Sequence, residues 1–216
     1  VKAAEIDAVF ARYGELLTLR AQLLKEAPAR VHLRLGAGEA SAPTDAGLWI
    51  SGTLRLLDLD AWRQLDLGGI GGRSAEGASP ATPLPLREAS IAFNELRLFN
   101  RRLRDTHVKL RPAGAGWRLA LAGREITGEM VTIPAGAGVS VLANFKRLSL
   151  PERVPGNIQE ADSETADSLG KSLVSLELSA DRAVWQEREL GDLHVRLSPD
   201  KLGLRMENFL LKSPDG

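Results

Sequence analysis

Histidines and aspartates that recur at a fixed spacing are the residues most able to do chemistry in this chain. His107 and His194 lie 87 positions apart, and so do Asp105 and Asp192. A repeated imidazole could supply half of a metal site, and two carboxylates about 5 to 10 Å apart could act as acid and base. No acidic or thiol partner recurs beside the histidines at ligand spacing, so we interpret them as surface residues of a duplicated segment. We interpret the aspartates as caps of the turn before a strand.

Other signatures of catalysis are missing from the sequence. The glycine run at 68–72 lacks the lysine and the helix of a phosphate-binding loop, and there is no GxSxG or HExxH motif. The chain has no cysteine, which excludes disulfides and thiolate metal sites. We therefore predict no catalytic residue, no metal ligand, no cofactor and no enzymatic activity. A hydrolase or transferase is the least favoured class.

The repeated histidines and aspartates belong to a longer segment that occurs twice. Residues 101–119 and 188–206 align without a gap. The identical pairs are Arg101/Arg188, Leu103/Leu190, Asp105/Asp192, His107/His194, Val108/Val195, Leu110/Leu197, Pro112/Pro199, Gly116/Gly203 and Arg118/Arg205. Such a match indicates a structural repeat.

Apolar residues alternate with polar ones inside each copy, which predicts β-strands with one apolar face. The turn-forming segments 112–116 and 199–203 interrupt the alternation and predict hairpins. Alternating runs at 90–99 and 173–185 precede the copies, so each unit is predicted to be a three-stranded meander. The apolar positions that form this face are Val108, Leu110, Trp117, Leu119, Leu176, Leu178, Val195, Leu197, Leu204 and Met206.

The whole chain is predicted to be mainly all-β, an elongated curled antiparallel sheet with one or two short helices. We divide it into an N-terminal β segment (1–67) with a short helix at 58–66, a flexible linker (68–86), a first β repeat unit (87–150), a polar linker (151–170) and a second β repeat unit (171–216), joined in one continuous sheet. A further short helix is possible within 159–169. Residues 3–24 favour two strands, at 6–13 and 16–24, with an amphipathic helix as the alternative.

The amino-acid composition restricts the kinds of partner that the chain can bind. The chain has 216 residues, 44% of them hydrophobic, and 28 basic residues balance 28 acidic ones. This balance gives no support for nucleic-acid binding. A local basic cluster (Arg101, Arg102, Arg104, Lys109 and Arg111) is interpreted as a solvated sheet face, with contact to a lipid head group or another anionic partner as the alternative. No apolar run is long enough to span a membrane. We expect the chain to be part of a larger protein.

Several segments resemble the YhdP family of large AsmA-like envelope proteins of Gram-negative bacteria. The strand GLWISG at 47–52, followed by LLDLDAW at 56–62, is similar to one stretch of that family. The segment RELGDL at 188–193 with SPDG at 213–216 is similar to another. The block formed by 116–121, 126–129 and 148–151 resembles a third. The order of these segments carries the resemblance.

The resemblance implies a function as well as a fold. It implies a periplasmic part of a protein anchored in the inner membrane, whose curled sheet moves phospholipid between the inner and outer membranes along a hydrophobic groove. Partners would be phospholipid acyl chains, the anchored parent protein and other envelope proteins. The residues agree on one point: strands with one apolar face must bury it or bind something apolar. The alternative is a structural or interaction β module, acting as a spacer or a protein-binding sandwich.

Overall fold

The computed structural model describes residues 5–13, 16–24, 29–58, 84–98, 100–136, 138–151, 173–200 and 203–213, and these residues form strands and no helix. The strands are β1 (Glu5–Tyr13), β2 (Leu17–Leu24), β3 (Arg30–Leu35), β4 (Gly47–Asp58), β5 (Leu86–Leu98), β6 (Arg101–Ala113), β7 (Gly116–Ala122), β8 (Ile126–Ala135), β9 (Gly138–Leu150), β10 (Leu173–Trp185), β11 (Arg188–Asp200) and β12 (Gly203–Lys212). The all-β prediction is confirmed, and so is the choice of strands at 6–24. Apart from Asp58, which ends β4, the predicted helices lie outside the described residues.

All the described strands lie in one sheet, in the order in which they follow along the chain. Neighbours are antiparallel except at three steps, β3–β4, β4–β5 and β9–β10, which are parallel. A parallel step needs a connection long enough to return the chain to the end where the first strand began. In sequence these connections are 36–46, 59–85 and 151–172, and the last two overlap the predicted linkers. The parallel steps are the departure from the predicted antiparallel sheet.

The duplicated segment forms the same three strands twice. β5 and β10 begin at Leu86 and Leu173, and β6 and β11 begin at Arg101 and Arg188, so equivalent strands are offset by the same 87 residues as the sequence repeat. β7 and β12 complete the two copies. Each copy is an antiparallel meander, as the alternation predicted.

Apolar residues meet across the sheet on one face, which we call the trough face. Directly opposed residues on neighbouring strands point to the same side of a sheet. One row of such partners runs through Leu19, Leu33, Ile50, Ala89, Leu110, Leu119, Met130, Ala143, Leu178, Val195 and Phe209. On β1 the backbone partner of Leu19 is Ala11. The row therefore has an apolar residue on each strand from β2 to β12.

The adjacent row of the trough face is also apolar or glycine. It runs through Leu17, Leu35, Gly52, Ile91, Val108, Leu121, Gly128, Phe145, Ala180, Leu193 and Leu211. Only glycine fits at 128, because an added Cβ would lie 2.6 Å from the Cα of Phe145 on β9. The row between the two, on the opposite or outer face, is mostly polar and includes Arg34, Ser51, Lys109, Glu129 and Asn144.

A line of irregular pairs, which we call the crease, bends the sheet. Register shifts fall between Ala180 and Ala183 on β10 and between Thr127 and Gly128 on β8. Near the same level Asp105 on β6 has φ 46° and Gly191 on β11 has φ 90°. Irregularities of this kind bend a strand and increase its twist. The bend brings residues from both sides of the crease into one buried cluster.

That cluster is the core of the protein and lies on the trough face. Its members are Phe93, Leu96, Leu103, Leu121, Ile126, Ala143, Phe145, Leu148, Ala180 and Ala183. They lie toward the end of the sheet where Leu98, Arg101, Leu150 and Trp185 are found, which we call the clasp end. The opposite end, with Ala113, Gly116, Ala135 and Gly138, is called the open end.

Candidate functional site

The predicted groove residues lie together on the trough face. Leu110, Leu119, Leu178 and Val195 belong to one row, and Val108 belongs to the adjacent row toward the clasp end. Toward the open end a third row contains Trp117, Leu176, Leu197 and Met206. Leu204 is the backbone partner of Pro199, and its side chain lies outside the described set. The alternation thus placed these residues on the same face across five strands, β6, β7, β10, β11 and β12.

On β6 and β7 the exposure of the trough face rises from the clasp end to the open end, and on β12 the trough face is exposed along the strand. Leu103, near the clasp end, is 7% exposed, whereas Trp117 and Met206, near the open end, are 38% and 58% exposed. Between them, Leu110, Leu119 and Leu178 are half-buried. An apolar surface that is only half covered by its own sheet can still gain free energy by contact with another apolar group.

Arg101 and Trp185 close the clasp end. The guanidinium carbon of Arg101 lies 4.8 Å from the centre of the Trp185 ring, and Nη1 of Arg101 donates a hydrogen bond to the carbonyl oxygen of Pro151. Arg101 is 8% exposed and points to the trough face, as does Leu103 two residues further along β6. Of the basic cluster, Arg101 is therefore not part of a solvated face, and that interpretation is wrong for it.

The hairpin of β7 and β8 turns at residues 123–125, before it reaches the level of this contact. The strands on either side of the hairpin, β6 and β9, can therefore approach each other at the clasp end. Its tip residue Glu125 accepts hydrogen bonds from two strands: from the backbone N–H of Arg104 on β6 through Oε2 (2.8 Å), and from that of Ser149 on β9 through its carbonyl oxygen (2.6 Å). These bonds satisfy backbone donors that have lost their neighbouring strand. The short hairpin is thus the reason why β6 and β10 can touch at the clasp end.

The outer face carries ion pairs instead of apolar rows. Glu88 accepts a hydrogen bond from Nε of Arg111 (2.6 Å), and its carboxylate lies 3.3 Å from Nζ of Lys109. Burial raises the pKa of Glu88, but the hydrogen bonds and charges of Arg111 and Lys109 outweigh burial, so its pKa lies below the ordinary value. Arg102 lies 3.7 Å from Glu95. Lys109, Arg111 and Arg102 therefore each face a carboxylate on the outer face.

The histidines occupy three different environments. His107 is exposed, as interpreted, and lies 3.0 Å from the hydroxyl of Ser90. His194, half-buried at the equivalent position, lies 4.0 Å from a carboxylate oxygen of Glu177. His32, which lies outside the repeat, is 9% exposed and therefore buried.

The burial of His32 comes from the 36–46 connection, which crosses the outer face above it. Nδ1 of His32 lies 2.9 Å from the carbonyl oxygen of Ser41, and Nε2 lies 2.8 Å from the hydroxyl of Ser51. Thr18, also buried, donates a hydrogen bond to the carbonyl oxygen of Gly38. These contacts hold the connection against the sheet, because each uses a polar group that would otherwise be buried without a partner.

The repeated aspartates lie inside strands and not at turns, so the capping interpretation is wrong. Asp105 is exposed at the crease, and its carboxylate lies 3.3 Å from Nε of Arg124 at the hairpin tip. Asp192 is exposed on β11. Because the described residues contain no group of three or more His, Asp or Glu side chains able to hold a metal ion, neither repeat pair is part of such a group.

Sequence reasoning missed the two residues that close the clasp end. Arg101 was grouped with its basic neighbours, and Trp185 was included only as the last residue of the alternating run at 173–185. A signal was present: Arg101 has the same parity as Leu103, the apolar residue of its repeat. What the alternation could not show was that strands four positions apart in the sheet come into contact.

Within the described residues, no helix has the length and apolar character required to cross a membrane. A family model with the description "YhdP protein" matches residues 3–216. No curated protein matches the chain.

Proposed function

The chain belongs to the YhdP family, and from this premise we propose that it is a non-enzymatic segment of a bacterial envelope protein that holds phospholipid acyl chains on its trough face. The parent protein would be anchored in the inner membrane, with this segment in the periplasm. Phospholipid would move along the trough between the inner and outer membranes. Other envelope proteins are possible partners, and the balanced charge gives no support for nucleic-acid binding.

One observation supports the proposal most: apolar residues follow one another without interruption from Leu19 on β2 to Phe209 on β12. Most of the side chains in this row are half-buried, and in the described residues no second sheet covers them. A sandwich module would bury such a row against a partner sheet. A single sheet with a half-exposed apolar face is the arrangement expected for a surface that receives an apolar ligand.

The physical character of the trough also suits movement of a lipid. Contact between apolar groups contributes about 25 cal/mol per Å² removed from water and has no preferred direction. An acyl chain can therefore shift along the row while it loses little contact. Directed hydrogen bonds would hold a ligand at one position, whereas the two central trough rows consist of apolar residues and glycine from β2 to β12.

Photocrosslinking tests the proposal directly. A photoreactive benzoylphenylalanine is introduced at Leu119, on the trough face, or at Ala120, the next residue of β7, which faces outward. The purified chain is mixed with vesicles of phosphatidylethanolamine and phosphatidylglycerol that contain radiolabelled lipid. We expect labelled protein with the probe at 119 and little at 120. Equal labelling at both positions, or none at either, would count against the trough as the lipid site.

A loss-of-function pair accompanies this experiment. Leu119→Asp places a charge in the middle of the apolar row, whereas Ala120→Asp places the same charge on the outer face. We expect the first substitution to reduce the phospholipid that co-purifies and can be extracted, and the second to leave it unchanged. Circular dichroism of both variants checks that the sheet is retained.

The edge strand β12 favours a second candidate function, an interaction or spacer module. Phe209 and Leu211 on its trough side and Leu210 on its outer side are all exposed. A free edge with apolar residues on both sides can pair with another chain. If the purified chain carries no lipid and self-associates in sedimentation experiments, and Leu210→Lys abolishes the association, this second function is favoured.

A further inference from the structure

We propose that the contact of Arg101 with Trp185 is a latch that closes the clasp end of the trough, and that it opens when an apolar chain occupies the full length of the strands. The inference rests on the proposed function, because the trough is a path only if it carries lipid. It adds to that function a defined barrier at one end. The two residues come from β6 and β10, which are separated by β7, β8 and β9 in the sheet.

The latch can open without disruption of the sheet. β6 is hydrogen-bonded to β5 and β7, and β10 to β9 and β11, so the contact between Arg101 and Trp185 belongs to no ladder. On β6 the pairing with β7 begins only at His107, opposite Ala122. The clasp-end half of β6 is therefore paired in the sheet with β5 alone, and β5 is paired with β4 as far as Arg97, opposite Asp58. This part of β4, β5 and β6 is joined to the β7–β8 hairpin tip by the hydrogen bond from Arg104 to Glu125, and it can move away from β9 and β10 as a unit when that bond breaks.

The chemistry of the latch is reversible. The contacts that hold it include a guanidinium over an indole ring, a hydrogen bond to the Pro151 carbonyl, and apolar packing around Leu103 and Leu148. Arginine suits such a place because its planar, weakly hydrated head group can stack on an aromatic ring. Arg188, the repeat equivalent of Arg101, is exposed, so burial of Arg101 is a property of its place at the clasp end and not of the repeat.

The position of the latch makes it a barrier. Beyond the crease the core side chains Leu96, Leu103 and Ala183 are buried, whereas the rows toward the open end are half-exposed. An acyl chain that enters from the open end would meet this closed cluster and then the stacked pair. Separation of the clasp-end parts of β5 and β6 from β9 and β10 would expose these core side chains to the incoming acyl chain.

Spin-label distance measurements test the latch without lipid. The sequence has no cysteine, so Arg102→Cys on β6 and Arg147→Cys on β9, both exposed near the clasp end, give one labelled pair. We expect a single short distance in the otherwise unchanged chain. Arg101→Ala should increase the population at longer distances by roughly two- to thirtyfold, the range of cation–π contributions. Arg188→Ala is the matched control and should leave the distance distribution unchanged.

Arg101→Lys keeps the charge but not the planar face, so it should give a distribution between the two. It also serves as the test variant if Arg101→Ala does not fold. An unchanged distribution in both Arg101 variants overturns the latch. The latch is also overturned if Arg188→Ala broadens the distance distribution as much as Arg101→Ala does.

A second measurement adds lipid and separates the latch from the proposed function. The photoreactive residue is placed at Leu150, at the clasp end of the trough face, or at Leu119 in the middle, with the same vesicles. With Arg101 present we expect labelling at 119 and little at 150, and with Arg101→Ala we expect a several-fold rise at 150 only. Strong labelling at 150 with Arg101 present overturns the latch. Absence of labelling at both positions in every variant overturns the proposed function, and the spin-label distances then decide alone whether the clasp end opens.

Discussion

The two copies of the repeat have equivalent strands and very different surroundings. Arg101 of the first copy is buried beneath Trp185, whereas Arg188 of the second copy is exposed. Leu119 is half-buried and packs against the core, whereas its equivalent Met206 is 58% exposed. The first copy lies in the interior of the strand order and the second at its edge. The same sequence pattern therefore serves as core in one place and as open surface in the other.

The largest difference should appear in the stability of a matched pair of leucines. Leu103 on β6 is buried in the core, and its repeat equivalent Leu190 on β11 only packs against it. Leu103→Ala should lower the free energy of unfolding by about 2–5 kcal/mol, because it leaves a cavity. Leu190→Ala should lower the free energy of unfolding by less than half of that amount, since solvent or neighbouring side chains can fill the space left by the partly buried Leu190 side chain. Urea denaturation of both variants is the measurement, and equal losses would contradict the comparison.

Arginine substitution in the two copies should give the next largest difference. Arg101→Ala removes the stacking on Trp185 and the hydrogen bond to Pro151, and we expect a loss of about 2 kcal/mol in unfolding free energy. Arg188→Ala removes an exposed side chain and should change stability by less than about 0.5 kcal/mol. Trp185→Ala combined with Arg101→Ala should cost less than the sum of the single changes, because both remove the same contact.

The smallest effect concerns the outer face and pH. Glu88 binds Arg111 and Lys109 in the first copy, and its side chain is 17% exposed, while Glu177 binds Arg196 in the second copy and is 37% exposed. Because the folded pKa of Glu88 lies below its ordinary value, its stabilising contribution is complete above the unfolded pKa and is lost as pH falls through the folded pKa.

Glu88→Gln should therefore lower stability by about 0.5–1 kcal/mol at pH 7 and by less at pH 3. Glu177→Gln should have the smaller effect at pH 7, since its more exposed carboxylate is better screened by water. Urea midpoints at the two pH values measure both. A Glu88→Gln effect that does not depend on pH would contradict the electrostatic explanation.

Much of the fold could be predicted from local pattern. The alternation of Val108 and Leu110 with His107 and Lys109 identifies a strand and its apolar face, and the 87-residue offset identifies the second meander. The same reasoning placed Leu119, Leu178 and Val195 on a common face, although it could not supply their register. The parallel steps β3–β4, β4–β5 and β9–β10 were not predicted, because strand direction depends on how long connections return across the sheet.

The candidate site was predictable in part for a related reason. Odd and even positions of a strand point to opposite faces of the sheet, so the residues of the trough face can be identified from neighbours one or two positions away. The crease changes parity between Phe93 and Leu96 and between Phe145 and Leu148, which are all buried. A pattern of a single period cannot locate such a change along a strand, although the parity that Arg101 shares with Leu103 indicates the face to which Arg101 points.

The sequence by itself determined that this protein is a repeated β-sheet with one apolar face, because a period of two is a property of the extended backbone and needs no distant contact. Only the tertiary structure decided where that face is closed and where it remains open. Closure of the trough face depends on the contact between Arg101 on β6 and Trp185 on β10 at the clasp end. On the outer face, the burial of His32 depends in the same way on the 36–46 connection. Those contacts join residues far apart in the chain, and their energies depend on what surrounds each side chain.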